Sequence, residues 1–222
     1  MHAAGRNWAR ARLRVLAAAS VLAGSLGCTA QEPALERPSA APSPAPVTPA
    51  PRTPAAASPE LPPGGLRELV PAPAEAPAGL VPLLQASGPR DTAAVAGFSS
   101  DPGAAAQNLT ARGFTDAYVA QYAAPGDPRT LTVVVVRFAT ADGARADLEA
   151  DLAESAGDVV PATQVGEASQ VRRVPLPEDD GLDLVTVRFR VGTTTWLLAW
   201  RAPAPADPEV PLALARDLSA RG

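Results

Sequence analysis

Few side chains in this sequence could perform covalent or metal-dependent chemistry, because the chain has one histidine, His2, and one cysteine, Cys28. Serine and cysteine nucleophiles of the triad type need a histidine, and the usual zinc sites are built from histidine nitrogen and cysteine sulfur. His2 also lies in a leader that we expect to be removed. The sequence therefore predicts no histidine-dependent catalysis, no cofactor, no metal ion and no internal disulfide.

Arginine is the basic residue of this chain, which contains no lysine. Two arginine pairs fall on strands that we predict to be neighbours, and they could form a cationic surface for an anionic envelope polymer or a lipid headgroup. The alternative is that they are the solvated face of a sheet. The candidate ligand surface consists of Arg172, Arg173, Arg188 and Arg190.

Acidic residues offer two weaker possibilities. The loop Glu178-Asp179-Asp180-Gly181, with Asp183, has oxygen ligands that suit calcium, but it lacks the spacing and the closing glutamate of an EF-hand loop. We interpret it as a solvated loop. A carboxylate pair could instead hydrolyse a glycosidic bond without histidine. Because the acids fall on predicted helix surfaces and turns, a carboxylate-dependent envelope hydrolase is the alternative, and a pocket holding two carboxylates would favour it.

The clearest local pattern is a β-hairpin near the C-terminus. Residues 184–191 alternate apolar and polar, Gly192-Thr193 suits a two-residue turn, and residues 194–202 form the returning strand. This register pairs Phe189 with Trp196 and places both Trp196 and Trp200 on the apolar face. We expect these tryptophans to pack in the core; the alternative is an aromatic ligand platform with the two tyrosines.

Further elements follow from caps and periodicity. They are a helix over 104–112 after Asp101-Pro102, strands over 115–123, 130–139 and 169–174, a helix over 141–156 capped by Thr140, and a helix over 209–220. The order strand, strand, helix occurs twice. The sequence thus predicts an α+β fold, with an antiparallel sheet of about five strands, helices mainly on one face and a ββα repeat.

The N-terminal third predicts export and a spacer. Residues 1–27 contain four arginines and no acid, followed by an apolar run of about 13 residues, which is shorter than the ~20 that span a bilayer. We predict a signal peptide over 1–27. Residues 28–78 are rich in proline and alanine and predict a disordered tether, and residues 79–222 predict a single α+β domain.

Charge argues against one class of partner. The leader holds four of the 19 basic residues, so 15 remain beside 23 acidic residues, a formal charge of −8. Nucleic-acid binding requires clustered cations. We therefore expect no nucleic-acid partner.

The stretch Ser25-Leu26-Gly27-Cys28 resembles the lipobox of bacterial lipoproteins, although Ser25 stands where that family has an aliphatic residue. The resemblance implies that Cys28 is lipidated, for instance with palmitate, and becomes the mature N-terminus. Segments such as Ser87-Gly88-Pro89 and Asp142-Gly143-Ala144 resemble a pattern in secreted lipoproteins of high-GC actinobacteria. That resemblance implies a non-enzymatic envelope lipoprotein and transfers no site residue.

We therefore expect a lipid-anchored domain on the extracytoplasmic face of the cell membrane. It would contact the membrane through the lipid on Cys28 and bind an envelope protein or polymer without catalysis. A purely structural spacer is a further alternative.

Overall fold

An antiparallel sheet of eight strands organises residues 60–63, 65–179 and 181–222, the part of the chain that the computed structural model describes. The strands are β1 (Val81–Pro82), β2 (Gly88–Arg90), β3 (Phe114–Ala123), β4 (Thr130–Phe138), β5 (Asp158–Val160), β6 (Ala168–Leu176), β7 (Leu182–Val191) and β8 (Thr194–Pro203). The helices are α1 (Thr92–Ala96), α2 (Pro102–Ala111), α3 (Ala141–Glu154) and α4 (Glu209–Ser219), with 3₁₀ turns at Arg67–Leu69 and Leu84–Ala86. The strand order is β1-β3-β4-β8-β7-β6-β5, with β2 also paired to β3.

The predicted hairpin is confirmed in its register. Strands β7 and β8 pair Phe189 with Trp196 and Val185 with Trp200. Both tryptophans belong to the core, with 2% and 4% of their surface exposed, and the rings of Phe189 and Trp196 stack with their centroids 4.9 Å apart. The packing interpretation of Trp196 and Trp200 is therefore correct.

Two of the helices that flank the sheet, α2 and α3, begin at the caps that the sequence predicts. The side chain of Asp101 accepts a hydrogen bond from the backbone N–H of Ala104, and the hydroxyl of Thr140 accepts one from Gly143. Each cap satisfies a backbone donor that the first helical turn leaves without a partner. These two caps set the starts of α2 and α3.

The sheet is covered on both faces, and each face has its own core. One face, which carries Tyr118, Tyr122 and Trp196, packs against α4 and against the N-terminal segment; we call it the strap face. The opposite face, which carries Val134 and Val136, packs against α1, α2 and α3; we call it the cleft face. Adjacent residues in a strand point to opposite faces, so the apolar run 133–136 in β4 contributes to both cores.

Two details of the predicted architecture are wrong. The sheet has eight strands rather than about five, because β1, β2 and β5 contain only two or three residues and are too short to show alternation. The described helices do lie mainly on one face, as predicted, since α1, α2 and α3 cover the cleft face and α4 covers the strap face. The two ββα segments repeat in order only, because their helices, α3 and α4, pack on opposite faces of the sheet.

The segment 61–78, which we call the strap, corrects the predicted domain boundary at Gly79. Leu61, Leu66 and Val70 are at most 3% exposed and belong to the core of the strap face. Part of the predicted tether is therefore an integral layer of the fold. The proline-rich composition hid this, because the three buried side chains stand among Pro, Gly and charged residues and show no helical or strand period. The signal peptide, and residues 28–59 and 64 of the predicted tether, Cys28 among them, lie outside the described residues.

Side-chain donors on the sheet hold the strap by its backbone. The hydroxyl of Tyr118 donates to the carbonyl oxygen of Pro62 at 2.5 Å, that of Tyr122 donates to Pro71, and the indole N–H of Trp196 donates to Leu69 at 3.0 Å. Prolines remove backbone donors but keep their carbonyls. A proline-rich segment therefore suits a surface that offers donors.

Alkaline pH should weaken this attachment. Burial raises the pKa of Tyr122 above its ordinary value near 10, and it also raises the pKa of Tyr118. A tyrosine whose pKa is higher in the folded state contributes stability that is complete below about pH 10 and declines as pH rises through the folded pKa. We expect the urea midpoint to fall between pH 8 and pH 11, and to fall less in Tyr122→Phe. An equal fall in both proteins would contradict this role of Tyr122.

Within the described residues, no helix is both long enough and apolar enough to cross a membrane.

Candidate functional site

The four arginines predicted to form one cationic surface are divided between the two faces of the sheet. Arg172, Arg188 and Arg190 lie on the cleft face, whereas Arg173 lies on the strap face. Arg173 donates a hydrogen bond to the carbonyl oxygen of Ala206 at 2.9 Å and lies 3.9 Å from the buried carboxylate of Asp183. Arg172 precedes Arg173 in β6 and lies on the cleft face, because the side chains of successive residues in a strand point to opposite faces of the sheet. Arg173 thus holds the loop before α4 and does not join the other three.

The three arginines on the cleft face are engaged by other groups. Arg188 forms an ion pair with Asp151 of α3, and Arg190 forms one with Glu167 at 2.5 Å. The pKa of Glu167 is held below its usual value, first by a hydrogen bond from the backbone N–H of Gly192 and also by the charge of Arg190. Arg172 donates to the carbonyl oxygen of Gly157 at 2.9 Å. The four arginines therefore do not form one surface, and the three on the cleft face already have acceptors within the protein. Ligand binding by these three stays a prediction.

A cleft lies between α3 and the pair α1–α2. It has a volume of about 250 Å³, just below the usual range for small-molecule sites. The floor is the cleft face of β4 and β8, including Val134, Val136 and Leu197. Val95, Phe98 and Leu109 line one wall, and Leu148 and Ala150 of α3 line the other.

Charged side chains border the cleft in pairs. Arg112, at the end of α2, and Asp147 of α3 form an ion pair at 3.0 Å that joins the two walls. Arg188 lies in β7, beside the floor of the cleft, and its side chain contacts Asp151 of α3. Glu154 lies one turn beyond Asp151 on the same side of α3. The cleft therefore combines an apolar interior with a polar border of carboxylates and guanidinium groups.

Sequence reasoning missed this cleft because its parts are far apart along the chain. Of its polar lining, only Arg188 was among the predicted site residues. The signal that was available is the stripe Asp147, Asp151 and Glu154, which lie on one side of a helix at intervals of four and three residues. Such a stripe is equally typical of a solvated helix face, so it could not be assigned without the fold.

Metal binding by the acidic loop was the alternative to a solvated loop. Among the described residues, no group of three potential ligands could hold a metal ion. In the acidic loop, the carboxylate of Asp179 lies 3.5 Å from Arg201.

The chain resembles a solved structure in its fold. The chain is similar to the extracellular domain of PknH from Mycobacterium tuberculosis, with a TM-score of 0.43 and 15% sequence identity over 52% of this chain and 70% of that one. No protein-family model matches the chain, and no curated protein sequence matches it. A structural likeness of this size carries no argument about function.

Proposed function

We propose that this protein is an extracytoplasmic, lipid-anchored binding domain whose cleft takes a small molecule with an apolar body and a polar end. The observation that carries the proposal is the cleft itself. Its interior is formed by Val, Leu, Phe and Ala side chains, and its polar groups stand at the border. Ligand sites commonly combine an apolar lining with a few polar groups that orient the ligand.

The volume of the cleft limits the size of the ligand. About 250 Å³ accommodates a small aromatic molecule or a short branched chain, but not a folded partner. An envelope protein or polymer, the partner predicted from the sequence, could place only a side group of that size in the cleft. A free small molecule is therefore the simpler occupant.

The test is binding of N-phenyl-1-naphthylamine, a neutral apolar dye that fluoresces when it leaves water. Ala150 lines the cleft, whereas Ala146, one turn earlier on α3, is exposed. We expect saturable binding to the full chain, at least about tenfold weaker binding to Ala150→Trp, equivalent to about 1.4 kcal/mol, and unchanged binding to Ala146→Trp. No saturable binding, or an equal loss in both variants, would contradict the proposal.

A carboxylate-dependent hydrolase is the second candidate, because the cleft is lined by Asp147, Asp151 and Glu154. These acids are engaged within the protein, however: Asp147 pairs with Arg112, Asp151 pairs with Arg188, and Glu154 also has an interaction partner. Carboxylates held in this way brace the walls of the cleft. Turnover of 4-nitrophenyl glycosides by the full chain that disappears in Asp151→Asn would favour the hydrolase, whereas no turnover favours the binding domain.

The lipid anchor in this proposal rests on the lipobox-like residues before Cys28 and on the secreted-lipoprotein resemblance. We expect cells that express the chain to incorporate radioactive palmitate into it, and Cys28→Ala to remove the label and release the protein from the membrane fraction. Equal labelling of the two proteins would remove the anchor from the proposal. A domain that binds no small molecule but keeps the lipid would instead support the spacer alternative.

A further inference from the structure

The strap is attached to the rest of the domain through contacts that do not depend on which chain supplies it. Its buried side chains, Leu61, Leu66 and Val70, enter an apolar surface formed by the sheet and α4. Its carbonyl oxygens accept hydrogen bonds from Tyr118, Tyr122 and Trp196. An identical strap from a second copy would make every one of these contacts.

Arg221, near the C-terminus of the chain, holds the C-terminal half of the strap. Arg221 donates to the carbonyl oxygens of Glu68 and Val70, each at 3.4 Å, and forms an ion pair with Glu75 at 2.8 Å. The pKa of Glu75 is lowered, first by a hydrogen bond from the backbone N–H of Ala72 and then by one from Arg221. Glu75 and Arg221 are therefore in contact only when a strap is docked. The same contact can form between the strap of one chain and the C-terminus of another.

A single tight turn returns the strap onto its own domain. The backbone N–H of Leu80 donates to the carbonyl oxygen of Pro77 at 3.1 Å, and Gly79 has a φ of +85°. A residue with a side chain disfavours this left-handed conformation, and a β-branched one does so most strongly. If the turn opens, the strap leaves its own domain while β1, which starts at Val81, can remain paired with β3.

We propose that the strap face is an interface with a second copy of this chain, formed by reciprocal exchange of straps about the turn at residues 77–80. Exchange of an identical element is a low-cost route to a symmetric dimer, because only the interactions within the hinge itself are broken. The closed monomer is favoured in dilute solution, since the short connection keeps the strap at an effective concentration in the millimolar range or above. Opening the turn removes this advantage.

The experiment places one cysteine in each of two chains that carry Cys28→Ala, namely Glu75→Cys in one and Arg221→Cys in the other. A disulfide between the two chains requires the strap of one to reach the C-terminus of the other. In these chains Gly79→Val should shift dimer formation, measured by light scattering, to at least tenfold lower concentration and increase the mixed disulfide.

Gly126→Val is the matched control. Gly126 also has a positive φ, +73°, and no atom lies within 4 Å of an added Cβ, but it belongs to the loop between β3 and β4. This variant should remain monomeric. A Gly79→Val protein that stays monomeric, or one that dimerises without the mixed disulfide, would overturn the proposal.

A second experiment retains Gly79, so that it remains informative if Gly79→Val does not fold. The two cysteine chains are mixed at about 1 mM, the effective concentration expected for a short connection, and are incubated before oxidation. We expect the mixed disulfide to accumulate with time and to be suppressed by dilution to micromolar concentration. Its absence at the high concentration would overturn strap exchange.

Discussion

A chain that begins at Gly79 should lose most of its stability, whereas a chain that begins at Glu60 should be as stable as the full chain. Removal of the strap withdraws Leu61, Leu66 and Val70 from the core, and burial of each such side chain is worth about 1.5–3 kcal/mol. The shortened chain also exposes the apolar surface around Trp196. We expect a loss on the order of 5 kcal/mol and a fall of about 10–20 °C in the thermal midpoint, measured by circular dichroism.

Single substitutions separate the contribution of the strap from a general effect of truncation. Leu66 is 1% exposed within the strap, whereas Leu84 is 37% exposed in the 3₁₀ turn that follows β1. Leu66→Ala should cost about 2–5 kcal/mol in the free energy of unfolding, and Leu84→Ala less than about 1 kcal/mol. Equal costs, or a stable chain beginning at Gly79, would mean that residues 61–78 are a tether after all.

Replacement of Gly143 by alanine should destabilise the protein, although alanine ordinarily stabilises a helix. Gly143 lies in the first turn of α3, and a Cβ there would stand 2.0 Å from the carbonyl oxygen of Arg112 at the end of α2. The two helices that form the walls of the cleft touch at this point. We expect Gly143→Ala to cost about 3 kcal/mol, since backbone must move to relieve the overlap, and to weaken ligand binding as well.

Gly103, in the first turn of α2, provides the control for Gly143→Ala. A Cβ at Gly103 would have its nearest neighbour at 3.5 Å, which is an ordinary contact. Gly103→Ala should therefore stabilise the protein by up to about 1 kcal/mol, as alanine does at an unstrained helical position. Urea unfolding of the two variants should show shifts of opposite sign. A stabilising effect of Gly143→Ala would mean that α2 and α3 are farther apart than described.

The long elements were predictable because their signals are local. The hairpin of β7 and β8 follows from alternation over eight residues, 184–191, and a glycine in a two-residue turn, and the starts of α2 and α3 follow from Asp101 and Thr140. Each signal depends only on residues that are close in sequence. Such patterns survive folding because tertiary packing reinforces them.

The strap and the cleft were not predictable because their determinants are distant along the chain. Leu69 accepts a hydrogen bond from Trp196, 127 residues away, and Asp151 meets Arg188 across 37 residues. A proline-rich composition is typical of a disordered linker, so the three buried side chains of the strap carried no signal of their own. The four predicted arginines do not form one surface for a related reason. Strand alternation places Arg173 on the opposite face of the sheet, and the acid that pairs with Arg188 comes from α3.

The measurement that tests the ligand-binding proposal most directly is a methyl NMR titration of the full chain with N-phenyl-1-naphthylamine. Leu197 lines the cleft, whereas its neighbour Leu198 is buried on the strap face. We predict that methyl resonances of Leu197, Val136 and Leu148 shift and saturate together, while those of Leu198 and Val187 remain in place. Shifts confined to the strap face, or no saturable shift at Leu197, would contradict a ligand site in the cleft.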